Sequence, residues 1–131
     1  MLHNMNKLRD LLMFQTITNV GDDTLTLKNG TKITLYESNA DWCAGAYGAW
    51  HRNGEIDGCI TDVKYEYEES EDCMGKTTCQ MYITILHEQT QIASAECYAD
   101  DGNSGYYMST LSVRVADING HELDDFILIN V

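Results

Sequence analysis

Proline is missing from all 131 residues, and cations are scarce, with eight Lys and Arg against 21 Asp and Glu and a formal net charge of −13. That balance argues against direct nucleic-acid binding, because a phosphate backbone needs a basic stripe. Between Asn53 and Val113 only Lys64 and Lys76 are available for one. Apolar runs of the roughly 18 residues that mark a membrane-spanning helix are also missing. The segment from Met1 to Phe14 is too polar for a signal peptide. A cytoplasmic protein with no membrane partner is expected.

Closely spaced metal ligands are lacking as well. The five cysteines, Cys43, Cys59, Cys73, Cys79 and Cys97, are an odd number without the spacing of a secreted disulfide framework, so buried free thiols are expected. Five residues separate Cys73 from Cys79, and His3, His51, His87 and His121 are scattered. Only folding could bring Cys43, Cys59 and His51 together. Cys43 and His51 have the residue types of a nucleophile and its base, yet nothing local marks an active thiol. No Gly-rich loop leads from a strand into a helix. The expectation is no cofactor, no metal and no enzymatic activity.

What is present is strand periodicity. In Cys79 to His87 the apolar Met81, Ile83 and Ile85 alternate with Gln80, Tyr82 and Thr84. A turn at Glu88, Gln89 and Thr90 leads to a strand from Ile92 to Ala99, where Ala93, Ala95, Cys97 and Ala99 share a face of small side chains suited to close packing. Asp100 to Gly105 form a turn cluster, since Asp, Asn and Ser bond to nearby backbone and Gly supplies positive φ. A third strand follows from Tyr107, with Leu111, Val113 and Val115 expected to face the same core as Ile83 and Ile85.

Around these strands, Asn4 is placed to cap a short helix in which Met5, Leu8, Leu11 and Leu12 share one face. Phe14 to Val20 reads as a strand, and Thr24 to Lys28 with Thr31 to Tyr36 as a hairpin. A three-residue loop of Lys28, Asn29 and Gly30 sets Leu25 opposite Ile33 and keeps one apolar face, whereas a two-residue loop would split that face. Glu37 to Gly58 is the least regular part; its Trp42, Tyr47 and Trp50 either plug the end of a sheet or form a binding lid. Phe126 to Ile129 is a closing edge strand or a pairing surface for a homodimer. The chain therefore reads as one domain over 1–131, α+β and mostly β. Its antiparallel sheet is folded as a small sandwich or partly closed barrel behind a short N-terminal helix.

Cys59 to Glu68 is a further strand, with Val63, Tyr65 and Tyr67 on one face and Asp62, Lys64, Glu66 and Glu68 on the other; it runs out into Glu69, Ser70, Glu71 and Asp72. Eight acids from Glu55 to Asp72 oppose the single Lys64. Such a strip is either a solvated edge that resists strand-to-strand aggregation or a surface that occupies a basic groove built for phosphates. On the second reading Glu66, Glu68, Glu69, Glu71 and Asp72 bind the partner. An alternative pocket for a nucleobase or sugar combines Asn103, Ser104, Tyr106 and Tyr107 with Trp42 or Trp50. The plainer reading of Tyr106 and Tyr107 is that they flank a turn.

With Asp41-Trp42-Cys43 and Asn103-Ser104-Gly105-Tyr106-Tyr107-Met108-Ser109 both in view, the chain resembles an uncharacterised family of small bacteriophage and prophage proteins. Those proteins share an opening hairpin, an Asp-Cys-Cys segment, an acidic stretch and a Ser/Asn-Asn-Gly-Tyr-Tyr-Ser turn, and the similarity spans roughly Leu25 to Val115. Trp42 stands where the family's first Cys would be, and Ala44 where an acid is common. The resemblance implies viral origin and no known activity. By analogy with other small acidic phage proteins, it implies a protein that acts in the host cytoplasm by binding and inhibiting a host protein with a basic groove. A nucleic-acid-binding defence factor is the expected target, as in anti-CRISPR or anti-restriction proteins that mimic nucleic acid. The alternatives are a nucleotide-like ligand binder or sponge, and a minor virion or assembly protein.

Overall fold

The alternating residues build two antiparallel sheets that enclose one core. Residues 4–102 and 107–131 are described, from a computed structural model. The first sheet has the order β1 (Ile17–Val20), β2 (Thr24–Leu27), β3 (Lys32–Ala40), β8 (Ser109–Ala116), β9 (Glu122–Asn130). The second has the order β4 (Ala46–Arg52), β7 (Thr90–Asp100), β6 (Thr77–His87), β5 (Asp62–Glu71). The one helix among the described residues, α1 (Met5–Leu12), buries Met5, Leu8 and Leu12. Of the two architectures expected, the open sandwich is the one formed; no strand pairing joins the two sheets into a barrel among the described residues.

The three-strand stretch is divided between the sheets. β6 and β7 form a hairpin in the second, and the chain then crosses to β8 in the first. Ile83 and Ile85 thus meet Leu111, Val113 and Val115 from opposite sides of one core, all of them at 1% exposure or less. Fully burying an aliphatic side chain contributes roughly 1.5–3 kcal/mol, so these five residues are a substantial part of the core that holds the two sheets together. The β2–β3 hairpin takes the bulged form: Leu25 lies opposite Ile33, and Gly30 has φ +89°.

Several expectations are corrected. Asn4 stands at the start of α1 in a left-handed conformation without a side-chain cap; its amide instead donates to the Ile127 carbonyl at 2.9 Å. β1 begins only at Ile17, and Phe14 is exposed. The Glu37 to Gly58 segment is neither a plug nor a lid: β3 runs on to Ala40, and Ala46–Arg52 is an edge strand of the second sheet. Its inward residues are Ala46, Gly48 and Trp50. A Cβ on Gly48 would lie 2.9 Å from Leu35 Cδ1, so the absence of a side chain there lets the sheets approach. Trp50 fills the space beside the small β7 face and is 2% exposed, with its indole N–H unpartnered. The acidic strand runs from Asp62 to Glu71, of the same length as the Cys59 to Glu68 reading but three residues later. Of the cysteines, Cys79 and Cys97 are buried as expected, but Cys43 and Cys73 are exposed; all five are free thiols.

Candidate functional site

Strand order and register decide which acids can act together. On the outer face of the second sheet, the even residues of β5, β6 and β7 meet the odd residues of β4. Glu66, Tyr82, Glu96 and Ala49 form one cross-strand row, and Glu68, Gln80, Tyr98 and Tyr47 the next. Side chains directly opposite each other in a sheet stand about 4.5–5.5 Å apart at Cβ, so Tyr82 is flanked by a carboxylate on either side. Tyr47, Glu66, Glu68, Tyr82, Glu96 and Tyr98 border an open groove of about 590 Å³.

The rings in this groove are held by their hydroxyls. Tyr98 donates to Asp100 Oδ2 at 2.7 Å, and Tyr82 accepts from the Gln91 amide at 3.1 Å. The Tyr47 and Tyr98 rings stack with centroids 5.0 Å apart and planes at 22°. Asp100 is itself buried. Burial alone pushes its carboxyl up, but the Tyr98 hydroxyl, the Gly102 amide, Lys76 and the Gly45 amide outweigh that and hold it below the ordinary aspartate value. Burial first, and then the bond to Asp100, push the Tyr98 hydroxyl up.

The five acids singled out by sequence are not one surface. Glu66 and Glu68 lie in the groove, whereas Glu69 and Glu71 point to the opposite face of β5, the face that carries Val63 to the core. Burial raises the hydroxyl of Tyr67, and Cys79 and Glu69 beside it raise it further. Asp72 builds the β5–β6 turn: its Oδ1 accepts from the Met74 and Lys76 amides at 2.8 and 3.0 Å. Sequence reasoning had the alternation of Gln80, Tyr82, Glu96 and Tyr98 but not their place beside Glu66 and Glu68, which requires the strand order.

Five of the eight cations are paired away from Glu66, Glu68 and Glu96, while Lys64, two residues before Glu66 on the same face of β5, is the one cation of that strand. Lys7, Arg9, Arg52, Lys76 and Arg114 pair with Asp124, Asp62, Glu55, Asp100, and Glu122 with Asp125, respectively. Among the described residues no ion pair involves Glu66, Glu68, Glu69 or Glu71, and Glu96 has only His51, at 3.6 Å.

Of the alternative pocket only Trp42, Trp50 and Tyr107 are among the described residues. Trp50 is in the core, a correction to its proposed role, because its position on β4 points inward against the β7 alanines. Trp42 is 90% exposed and meets Tyr107 edge-on at 6.5 Å. Asn103, Ser104 and Tyr106 lie outside the described residues. The two motifs behind the family resemblance are nonetheless neighbours. Asp41 and Met108 exchange bonds of 2.8 and 2.9 Å, and a Cβ on Gly102 would lie 2.6 Å from Cys43 Sγ. Their shared position is a structural clasp between the β3–β4 and β7–β8 connections. Among the described residues no three His, Cys, Asp or Glu side chains gather as metal ligands. Cys43 packs at Gly102, while His51 lies beside Glu96.

No curated protein and no solved structure matches the chain. A family model does, over residues 10–113, reaching from α1 to β8 and so taking in the acidic strand and both sheets. The chain belongs to this family, a domain of unknown function (DUF7448).

Proposed function

We propose that this domain is a binding protein that occupies the basic groove of a protein partner through the outer face of its second sheet. One observation carries the reading: Glu66, Glu68 and Glu96 converge on an open, hydrogen-bonded sheet face, and no Lys or Arg of the chain pairs with any of them among the described residues. Residues 46–100 hold eleven acids against three Lys and Arg. Like charges held this close repel, a cost that a complementary partner relieves.

Magnitude refines the partner class. Five acids on the ten residues of β5 amount to one charge per about 7 Å of strand, roughly half the density of a nucleic-acid strand with one per about 3.4 Å. Charge alone is a weak imitation of DNA, and the tyrosines of the same face add ring contacts. The phage-type setting implied by the sequence resemblance favours a host nucleic-acid-binding defence factor as the partner, with inhibition by occlusion of its groove in the host cytoplasm.

The test compares tagged protein with the triple variant Glu66→Gln, Glu68→Gln, Glu96→Gln. Binding to a nucleic-acid-binding host protein should be lost in the variant, weakened in high salt as screening shortens, and displaced by added duplex DNA. The variant should keep its circular dichroism and melting temperature. Equal capture by both versions would overturn the reading.

A further inference from the structure

We infer that the Tyr82 groove is a receptor for arginine side chains, occupied by an extended arginine-bearing segment of the partner. The inference rests on the basic-partner reading above and specifies its chemistry.

An acidic face by itself attracts any cation. What distinguishes this one is the order acid, ring, acid along a single row, Glu66, Tyr82 and Glu96, with the stacked Tyr47 and Tyr98 one row away. The Tyr82 hydroxyl accepts from the Gln91 amide and the Tyr98 hydroxyl donates to Asp100, so the chain itself anchors both phenols by their polar ends. What they offer a ligand is ring surface. A guanidinium is planar, weakly hydrated and able to lie on an aromatic face while its edges donate to carboxylates. Laid over Tyr82, it meets Glu66 on one side and Glu96 on the other. An ammonium is compact and strongly hydrated, donates as a point charge, and gains less from a ring.

The groove volume of about 590 Å³ lies within the range of roughly 300–1,000 Å³ typical of ligand sites. It exceeds what one side chain fills, which suits a peptide segment. A second copy of this chain is a poor occupant, because it would bring Glu66, Glu68 and Glu96 against their own like charges.

The experiment measures binding of fluorescently labelled hexa-arginine, hexa-lysine and hexa-citrulline peptides to the full chain by fluorescence anisotropy, at about 0.15 M salt, where the Debye length is about 8 Å. Hexa-arginine should bind about tenfold more tightly than hexa-lysine, and hexa-citrulline should not bind. Tyr82→Leu should bring hexa-arginine down to the hexa-lysine level. Tyr82→Phe, which keeps the ring and removes only the bond to Gln91, should retain the preference and guards against loss of fold in the leucine variant. Glu96→Gln should weaken both cationic peptides. Equal affinity for arginine and lysine, or a preference that survives in a folded Tyr82→Leu protein, overturns the arginine inference and leaves the basic-partner reading standing. If neither cationic peptide binds, both fall.

Discussion

Asp100 ties the end of β7 to the tyrosine face, and replacing it with asparagine tests that role quantitatively. Its Oδ1 accepts the Gly45 and Gly102 amides at 3.2 and 2.9 Å, its Oδ2 accepts the Tyr98 hydroxyl at 2.7 Å, and Lys76 Nζ lies 3.8 Å away. The residue is 7% exposed, so solvent replaces little of what is lost. In Asp100→Asn the amide oxygen keeps the two backbone donors. The amide nitrogen faces Tyr98, which must turn from donor to acceptor, and Lys76 faces a second donor.

Hydrogen bonds to a charged group contribute roughly 1.5–3 kcal/mol each and neutral ones about 1. With the two backbone bonds weakened and not lost, we expect a destabilisation of about 2 kcal/mol at pH 7. For a domain of 131 residues, that is a drop of about 7 °C in melting temperature. The pH dependence gives a second readout. The folded-state pKa of Asp100 lies below its unfolded value, so its contribution is complete above the unfolded pKa of about 3.9 and is lost as pH falls through the folded value. Wild type and Asp100→Asn should therefore converge in acid. Denaturant unfolding at pH 7 and below pH 4 measures both quantities. A difference under about 0.5 kcal/mol at pH 7, or one that persists unchanged in acid, refutes the reasoning.

Gly48→Ala should cost about 1–3 kcal/mol by overpacking, since the new methyl would stand 2.9 Å from Leu35 Cδ1 and 3.2 Å from Leu111 Cδ2; Leu35→Ala in the same chain should recover part of that loss in denaturant unfolding. Thiol alkylation followed by mass spectrometry should modify Cys43 and Cys73 rapidly in the native protein and spare Cys79 and Cys97 until denaturant is added. Burial pushes the Cys97 thiol up to about 12, so the unfolded chain releases that proton first, and stability should fall from about pH 9 towards pH 12; an alkaline limb that is unchanged in Cys97→Ala would contradict this.

Legibility followed contrast in the sequence. The alternation of Met81, Ile83 and Ile85 with polar neighbours marked β6, and the pairing of Leu25 with Ile33 followed from hairpin arithmetic alone. β4 was invisible because its inward residues are Ala46, Gly48 and Trp50 and its outward ones Tyr47, Ala49 and His51, so neither face is more apolar than the other. Its small residues are there because the sheets come closest at that point, a tertiary fact with no local signature. The division of β6, β7 and β8 between two sheets was equally silent, since both arrangements face the same core.

The acidic strand shows how much register adds to composition. Along its core-facing side, Val63 is 2% exposed, Tyr65 is 45% exposed, Tyr67 packs back against the core, and the exposed Glu69 and Glu71 follow at positions of the same parity. β5 therefore leaves the core only beyond Tyr67, and a strand that has left the core can carry charge on both faces without a desolvation penalty. Composition alone made five acids look like one strip. Register separates them into a pair that joins Glu96 across the sheet, a pair on the overhanging face, and a turn-builder. Only the first pair shares the sheet face of Tyr82 and Tyr98, which is why neutralising Glu66 and Glu68 is expected to remove binding while the same change at Glu69 and Glu71 leaves the ring-lined groove intact. Direct comparison of those two double variants against hexa-arginine separates a recognition surface from undifferentiated negative charge: an equal loss in both would mean that net charge alone governs binding.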